Sequence, residues 1–172
     1  MKAAATQPPI TLKIPRKGPK QIERARALLA ALDRTYPHAK CRLDWTPPHE
    51  LLVATILSAQ ATDESVNAAT PALFREFSRP ADYAAATPDR IAPFIRTIGL
   101  WRNKARAVHE SMQALVAHHG GEVPRDMDSL LALRGVARKT ANVVLGNCFG
   151  IQAGVVVDTH VGCLAQRLGL SA

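Results

Sequence analysis

Between Leu130 and Asn142 the chain reads LLALRGVARKTAN. Helix-forming residues lie on both sides, and only Arg134-Gly135-Val136-Ala137 are left to turn one helix into the next. This short join constrains the fold more than any other stretch. Gly135 is the residue able to take backbone conformations that a side chain disfavours, and the second helix must begin directly after the turn. Its first backbone N–H groups have no partner inside the helix, so they lie at the turn, where they can hold a phosphate oxygen. Such a site binds nucleic-acid backbone rather than bases, so it positions without specifying sequence. From the turn alone, an ordinary packing corner between two helices accounts for these residues equally well.

Elsewhere the apolar residues recur at helical spacing. Ile22, Ala25, Leu28, Leu29 and Leu32 share one face, and Tyr36-Pro37 ends that helix. After a loop from Leu43 to Pro48, a second helix starting near His49 or Glu50 is expected to bury Leu51, Leu52, Val53 and Ile56. A third is expected over 63–77 with Val66, Leu73, Phe74 and Phe77 inward, kinked or delayed by Pro71. Ser78-Arg79-Pro80 starts a short helical turn. Thr87-Pro88-Asp89 opens a helix reaching about Thr97, with Thr87 as N-cap. The next covers Asn103 to His119, places Ala105, Val108, Met112, Leu115 and Val116 on one face, and closes at Gly120-Gly121. Asp126 caps a helix through Leu133, another runs to about Cys148, and a last one follows Thr159. No stretch alternates as a strand would, and the Ala-, Leu- and Val-rich, aromatic-poor composition leans the same way. The expected fold class is all-α, with room for one domain or one plus part of a second.

The formal net charge is +8. Lys2, Lys13, Arg16, Lys17 and Lys20, with no acid among residues 1–20, supply +5 of it. That segment reads as a disordered basic arm able to touch phosphates. A basic chain without a membrane segment usually has an anionic partner, most often nucleic acid. Apolar runs are too short for a bilayer, and Pro8, Pro9 and Pro15 break up any secretory leader. Cys41, Cys148 and Cys163 fit neither a metal motif nor a disulfide framework. A reducing, cytoplasmic setting (the bacterial nucleoid) and a monomer are expected.

Four motifs then fall in one order. The hairpin segment resembles the helix-hairpin-helix of the endonuclease III family, usually written L-P-G-V-G-x-K-T-A. Val157-Asp158-Thr159-His160 resembles that family's V-D-T-H. Leu57-Ser58-Ala59-Gln60-Ala61-Thr62-Asp63 resembles its L-S-A-Q-A-T-D, and Thr97-Ile98-Gly99-Leu100, followed by Lys104-Ala105, resembles its T-I-G-L-x-x-x-K-A. The resemblance covers about residues 22–172. It implies a helix-hairpin-helix glycosylase fold: a six-helix domain over 41–151 with the hairpin near 126–148, and a second helical domain built from residues 21–40 and from 152 onwards.

The resemblance also implies roles. Lys139 would be the nucleophile of a DNA glycosylase with lyase activity on oxidised pyrimidines such as thymine glycol and on abasic sites, and Asp158 would assist it. The chemistry needs an uncharged amine; a helix start, burial and a neighbouring cation such as Arg138 favour one, and an adjacent Asp158 opposes it unless it takes the proton. The damaged base must leave the stack; Gln60 would fill its place and Leu100 would wedge beside it. Gly135, Val136, Arg138 and Thr140 would hold the DNA backbone, together with Arg134 and Ala137, at which this chain departs from the family. Read without the family, Lys139 is a phosphate-contacting cation, Asp158 a helix cap, His160 a helix-start residue, Gln60 a loop residue and Leu100 a core residue at a turn.

Two hairpin positions depart from the family. Arg134 stands for its proline, which removes preorganisation worth about 0.4–1 kcal/mol and adds charge beside the phosphate path. Ala137 stands for its second glycine, harmless where φ is negative and harmful where it is positive; weakened rather than absent DNA binding is expected from the two changes. The family's [4Fe–4S] cluster is held by four cysteines in further C-terminal helices. With the chain ending at Leu170-Ser171-Ala172, no cluster and an incomplete second domain are expected here. The expected partner is damaged double-stranded DNA. Within the same fold the nearest rival is an adenine or thymine mismatch glycosylase, and Lys139 argues against the adenine enzymes. The rival reading is a DNA-binding module whose catalysis is weak or absent.

Overall fold

The computed structural model describes residues 18–171. Most of the basic arm expected over 1–20 therefore lies outside the described residues. The described residues divide into two compact units, one of residues 18–39 with 165–171 and one of residues 40–164.

In the smaller unit the first expected helix forms as α1, Pro19–Thr35. Pro19 occupies the first helical position, where a missing N–H is harmless. The Gln21 side chain accepts the Gly18 N–H at 3.1 Å. Tyr36 ends the helix, as Pro37 requires of the residue before it. No residue of α1 is buried, and Ile22, Leu29 and Leu32 are exposed. At the other end of this unit the chain leaves a helix through Gly169 at φ +66, with Leu170 N–H returned to Ala165 O at 2.8 Å. Glycine suits this left-handed helix stop.

The larger unit is built around α2, Pro48–Leu57. Its sequence predicts one buried face; instead every residue from Leu51 to Leu57 is buried, and His49 with them. A helix that is apolar all round belongs inside a core. Around it pack α3 (Asp63–Glu76), α6 (Trp101–His119) and α8 (Arg138–Phe149). The short helices α4 (Pro80–Ala85), α5 (Pro88–Ile91) and α7 (Met127–Leu131) close the rest, and α9 (Thr159–Arg167) begins here. Leu73, Tyr83, Ile95, Met112, Leu130 and Leu145 are fully buried. Phe77 stacks on Tyr83 with centroids 4.9 Å apart and meets Phe94 edge-on at 5.8 Å. The all-α expectation holds: no strand occurs among the described residues. No described helix is long and apolar enough to cross a membrane.

Several local expectations change. The helix opened by Pro88 stops at Ile91 and tightens into a 3-10 turn, Ala92–Ile95; Pro93 has no N–H to continue the ladder. Thr87 sits at the cap position but its hydroxyl makes no cap bond. The helix capped by Asp126 ends at Leu131, not Leu133. In α3 the chain remains helical past Pro71, which is exposed. Val116 is 41% exposed, because it lies on the flank of the stripe formed by Ala105, Val108, Met112 and Leu115.

The tightest approach in this unit is at Gly135, φ +80. A Cβ there would stand 3.1 Å from Ala107 Cβ on α6 and 3.4 Å from Ile56 Cγ2 on α2. Both the left-handed backbone and the crowding oppose a side chain. Gly135→Ala is expected to lower unfolding free energy by about 1–3 kcal/mol, measured by urea denaturation; an unchanged midpoint would show that the turn relaxes freely.

Candidate functional site

The hairpin is held from below. The Asp126 carboxylate accepts the Ser129 N–H at 2.8 Å and starts α7. Leu133 N–H reaches Leu130 O at 3.1 Å, and Val136 N–H reaches Leu133 O at 3.2 Å. Leu133 and Val136 are buried and pin the turn to the core, while Gly135 permits the reversal.

Beyond the turn, α8 starts open. Its N-cap is Ala137, whose methyl group accepts nothing, and its first turn has no acid. The first backbone bond is Ala141 N–H to Ala137 O at 2.9 Å. The N–H groups of Arg138, Lys139 and Thr140 precede it. By contrast, α3 begins with Thr62 accepting the Ser65 N–H at 3.2 Å and with Asp63 and Glu64 in its first turn. At α8 the positive helix end carries two more positive charges, exposed Arg138 and Lys139. This arrangement is unfavourable by itself and favourable with an anion in place. Ala137 has φ −94, so its replacement of glycine imposes no backbone strain.

Lys139 lies on the wall of a cleft of about 400 Å³. Gln60, Gly135, Ala137 and Thr140, all singled out from the sequence, share that wall. Thr55, Ser58, Asp63 and Cys41 line it as well and were not anticipated as site residues. Asp63 could have been suspected, since it closes the L-S-A-Q-A-T-D segment, but an acid at a helix start already has a local reason to be there.

The remaining sequence-selected residues lie off that wall. Val136 belongs to the core. Arg134 Nη1 donates to both carboxylate oxygens of Glu110, at 2.8 and 2.6 Å. Leu100 stands with Trp101, Arg102 and Asn103 around a separate hollow of about 320 Å³, where Arg102 stacks on Trp101 at 4.1 Å. Asp158 caps α9 by accepting the Val161 N–H at 2.8 Å. That bond holds its carboxyl below the usual carboxylate range, and the charges of Lys139 and His160 act in the same direction. His160 itself is almost wholly in solvent, with Nδ1 3.9 Å from Asp158 Oδ2.

Gln60 at φ 53 and Leu100 at φ 60 are the two non-glycine residues with left-handed backbone among those described. For an L-residue that conformation costs roughly 1–2 kcal/mol. Leu100 is also 60% exposed, so it is not the core residue that a turn leucine might have been. Strain that packing does not repay tends to collect at functional positions.

The residues do not suit an iron–sulfur cluster. Cys41 and Cys148 are half-buried, and burial pushes the Cys148 thiol up to about 11, against the thiolate a cluster needs. Among the described residues no group of three or more His, Cys, Asp or Glu side chains gathers to hold a metal.

Residues 53–172 match the model of the HhH-GPD superfamily base excision DNA repair proteins. The chain is 50% identical to an endonuclease III of Synechocystis sp. over 156 residues, covering 91% of this chain and 71% of that one. It is 46% identical to an endonuclease III of Bacillus subtilis over 151 residues, covering 88% and 67%. A structure of a trapped endonuclease III–DNA covalent intermediate, an estranged-adenine complex, superimposes with TM-score 0.82 at 44% identity, covering 87% of this chain and 70% of that one. A thermostable thymine-DNA glycosylase shares the fold, with TM-score 0.76 at 22% identity over 84% of this chain and 67% of that one.

Relieving the strain at Leu100 should register in stability. Leu100→Gly removes the left-handed penalty of about 1–2 kcal/mol against about 0.4–1 kcal/mol of added unfolded-state freedom. The variant is expected to be as stable as the parent or up to about 1 kcal/mol more so, by urea titration. A clear loss would mean that the leucine side chain packs on its neighbours.

Proposed function

The chain belongs to the endonuclease III family, within the HhH-GPD superfamily of base-excision DNA repair proteins, and from that premise we propose that it grips damaged duplex DNA at the 134–140 hairpin and acts on the lesion through Lys139. One observation carries this reading: the uncapped start of α8, with its exposed cations, opens onto the same cleft as Gln60. Main-chain donors take the phosphate, which fixes the strand without reading its sequence. The strained residues Gln60 and Leu100 are the side chains to occupy the space of an extruded nucleotide, Gln60 beside the cleft and Leu100 as a wedge into the stack. Extrusion is easiest at a damaged or unpaired base.

At an oxidised pyrimidine, the uncharged Lys139 Nζ attacks the sugar C1′. The glycosidic bond breaks and its electrons leave with the base, which takes up a proton. The amine then gives up its proton as the C1′–O4′ bond breaks and the ring oxygen takes a proton, which opens the ring to a C1′ Schiff base that draws electrons from the sugar. Loss of a C2′ proton then breaks the C3′–O bond and releases the 3′ phosphate. At an abasic site the same amine condenses with the aldehyde directly. Asp158, kept ionised by its cap bond, is the group to receive the lysine proton or face the developing sugar cation; Lys139 and Asp158 act as one coupled unit.

A second reading, a DNA-binding protein with weak or no catalysis, is favoured by the surroundings of Asp158. It does not line the cleft, and Val155 and Val157 just before it are 74% and 56% exposed. Borohydride trapping on duplex with an abasic site separates the two. The first reading expects a covalent adduct that Lys139→Gln abolishes, while salt-sensitive duplex binding survives with a small loss. Folded protein that binds the duplex and yields no adduct would leave the second reading standing.

A further inference from the structure

Three residues on one face of α6 meet the hairpin. Ala107 leaves room for Gly135, with 3.1 Å to the position a Cβ would occupy. Ser111, fully buried, donates its hydroxyl to Arg134 O at 2.6 Å. Glu110 takes the Arg134 guanidinium through Nη1 alone. The Arg134 backbone is thereby fixed by a buried bond. Its side chain is tied only by a half-exposed ion pair, 49% and 39% accessible. A pair that accessible contributes little to stability, about 0–1 kcal/mol, so a competing anion can displace it without disturbing the turn. The guanidinium fork suits a phosphate as well as a carboxylate.

We infer that Arg134 is a phosphate ligand held in reserve by Glu110, which releases it when a DNA strand docks on the hairpin. This rests on the DNA-binding reading above and adds Glu110 as a positioning residue that acts through Arg134. Without DNA, the carboxylate cancels the charge beside the turn and orients the fork. With DNA, the phosphate replaces the carboxylate, and Ser111 keeps the backbone of the turn in place during the exchange. The charge contributed by Arg134 therefore counts in the complex and is masked in the free protein.

The test is binding of the full chain to a duplex with an uncleavable abasic-site analogue, by fluorescence anisotropy from about 50 to 200 mM salt. Each phosphate contact contributes about 0.9 to the slope of log K against log salt. Arg134→Gln is expected to reduce the slope by about that amount, and Arg134→Lys to retain it. Glu110→Gln is expected to tighten binding about two- to five-fold with the slope unchanged, and to have little effect when Arg134→Gln is already present. A slope insensitive to Arg134→Gln overturns the inference, since the pair is then a static brace. Equal tightening by Glu110→Gln in both backgrounds also overturns it, since only bulk charge is then at work. Thermal melting of each variant confirms that folded protein is being compared. A parent protein that does not bind the duplex at all defeats the DNA-binding reading itself, an outcome distinct from a normal parent slope that ignores Arg134.

Discussion

The close contact of the 133–137 turn with α2 and α6 sets the position of the main-chain groups proposed to hold the DNA backbone. The backbone passes Ala107 and Ile56 at a distance that would crowd a side chain, and it does so in a left-handed conformation. Leu133 and Val136 on either side are buried in the core. A turn anchored at three points cannot drift, so the first N–H groups of α8 inherit its rigidity. Catalytic and anion-binding groups need placement to within fractions of an ångström, and here the placement comes from packing against the most buried helix of the unit.

That helix, α2, also places Gln60 at the cleft. Its last turn passes into Ser58, whose hydroxyl bonds Thr55 O at 2.9 Å, and Ala61 N–H returns to Ser58 O at 3.1 Å. Gln60 is then forced into its left-handed conformation between α2 and the capped start of α3. The hairpin and Gln60 thus both take their positions from one buried element, and Gln60 lies between two well-terminated helices. The same logic applies to Leu100, set between Ile98 in the core and the start of α6.

Much of this was legible in the sequence because the signals were local. Helical periodicity, Tyr36-Pro37, Asp126 and Gly120-Gly121 each act within a few residues, and their helices begin or end within a residue or two of where these signals place them. The cleft side chains Gln60 and Lys139 were legible only through motif resemblance. What stayed hidden depends on distant partners. Glu110 and Arg134 are 24 residues apart, and neither announces the other. The turn at Ala92–Ile95 needed the effect of Pro93 weighed against a strong helix start. Burial of α2 on every side from Leu51 to Leu57 was masked because a nearly all-apolar stretch has no preferred face to read. Arg134 was legible as a charge, but its carboxylate partner emerges only in three dimensions.

A recognition surface made of main-chain donors has a peculiar relation to inheritance. The main-chain donors proposed to face an anion at the start of α8 are present whatever side chain stands at the exposed position 138, so drift there leaves them chemically intact. Only a change that moves the beginning of the helix, or removes a donor outright as proline does, can erase it. Such a surface tolerates divergent neighbours, and Gly135, whose backbone turns the chain into the helix, is the position least free to vary.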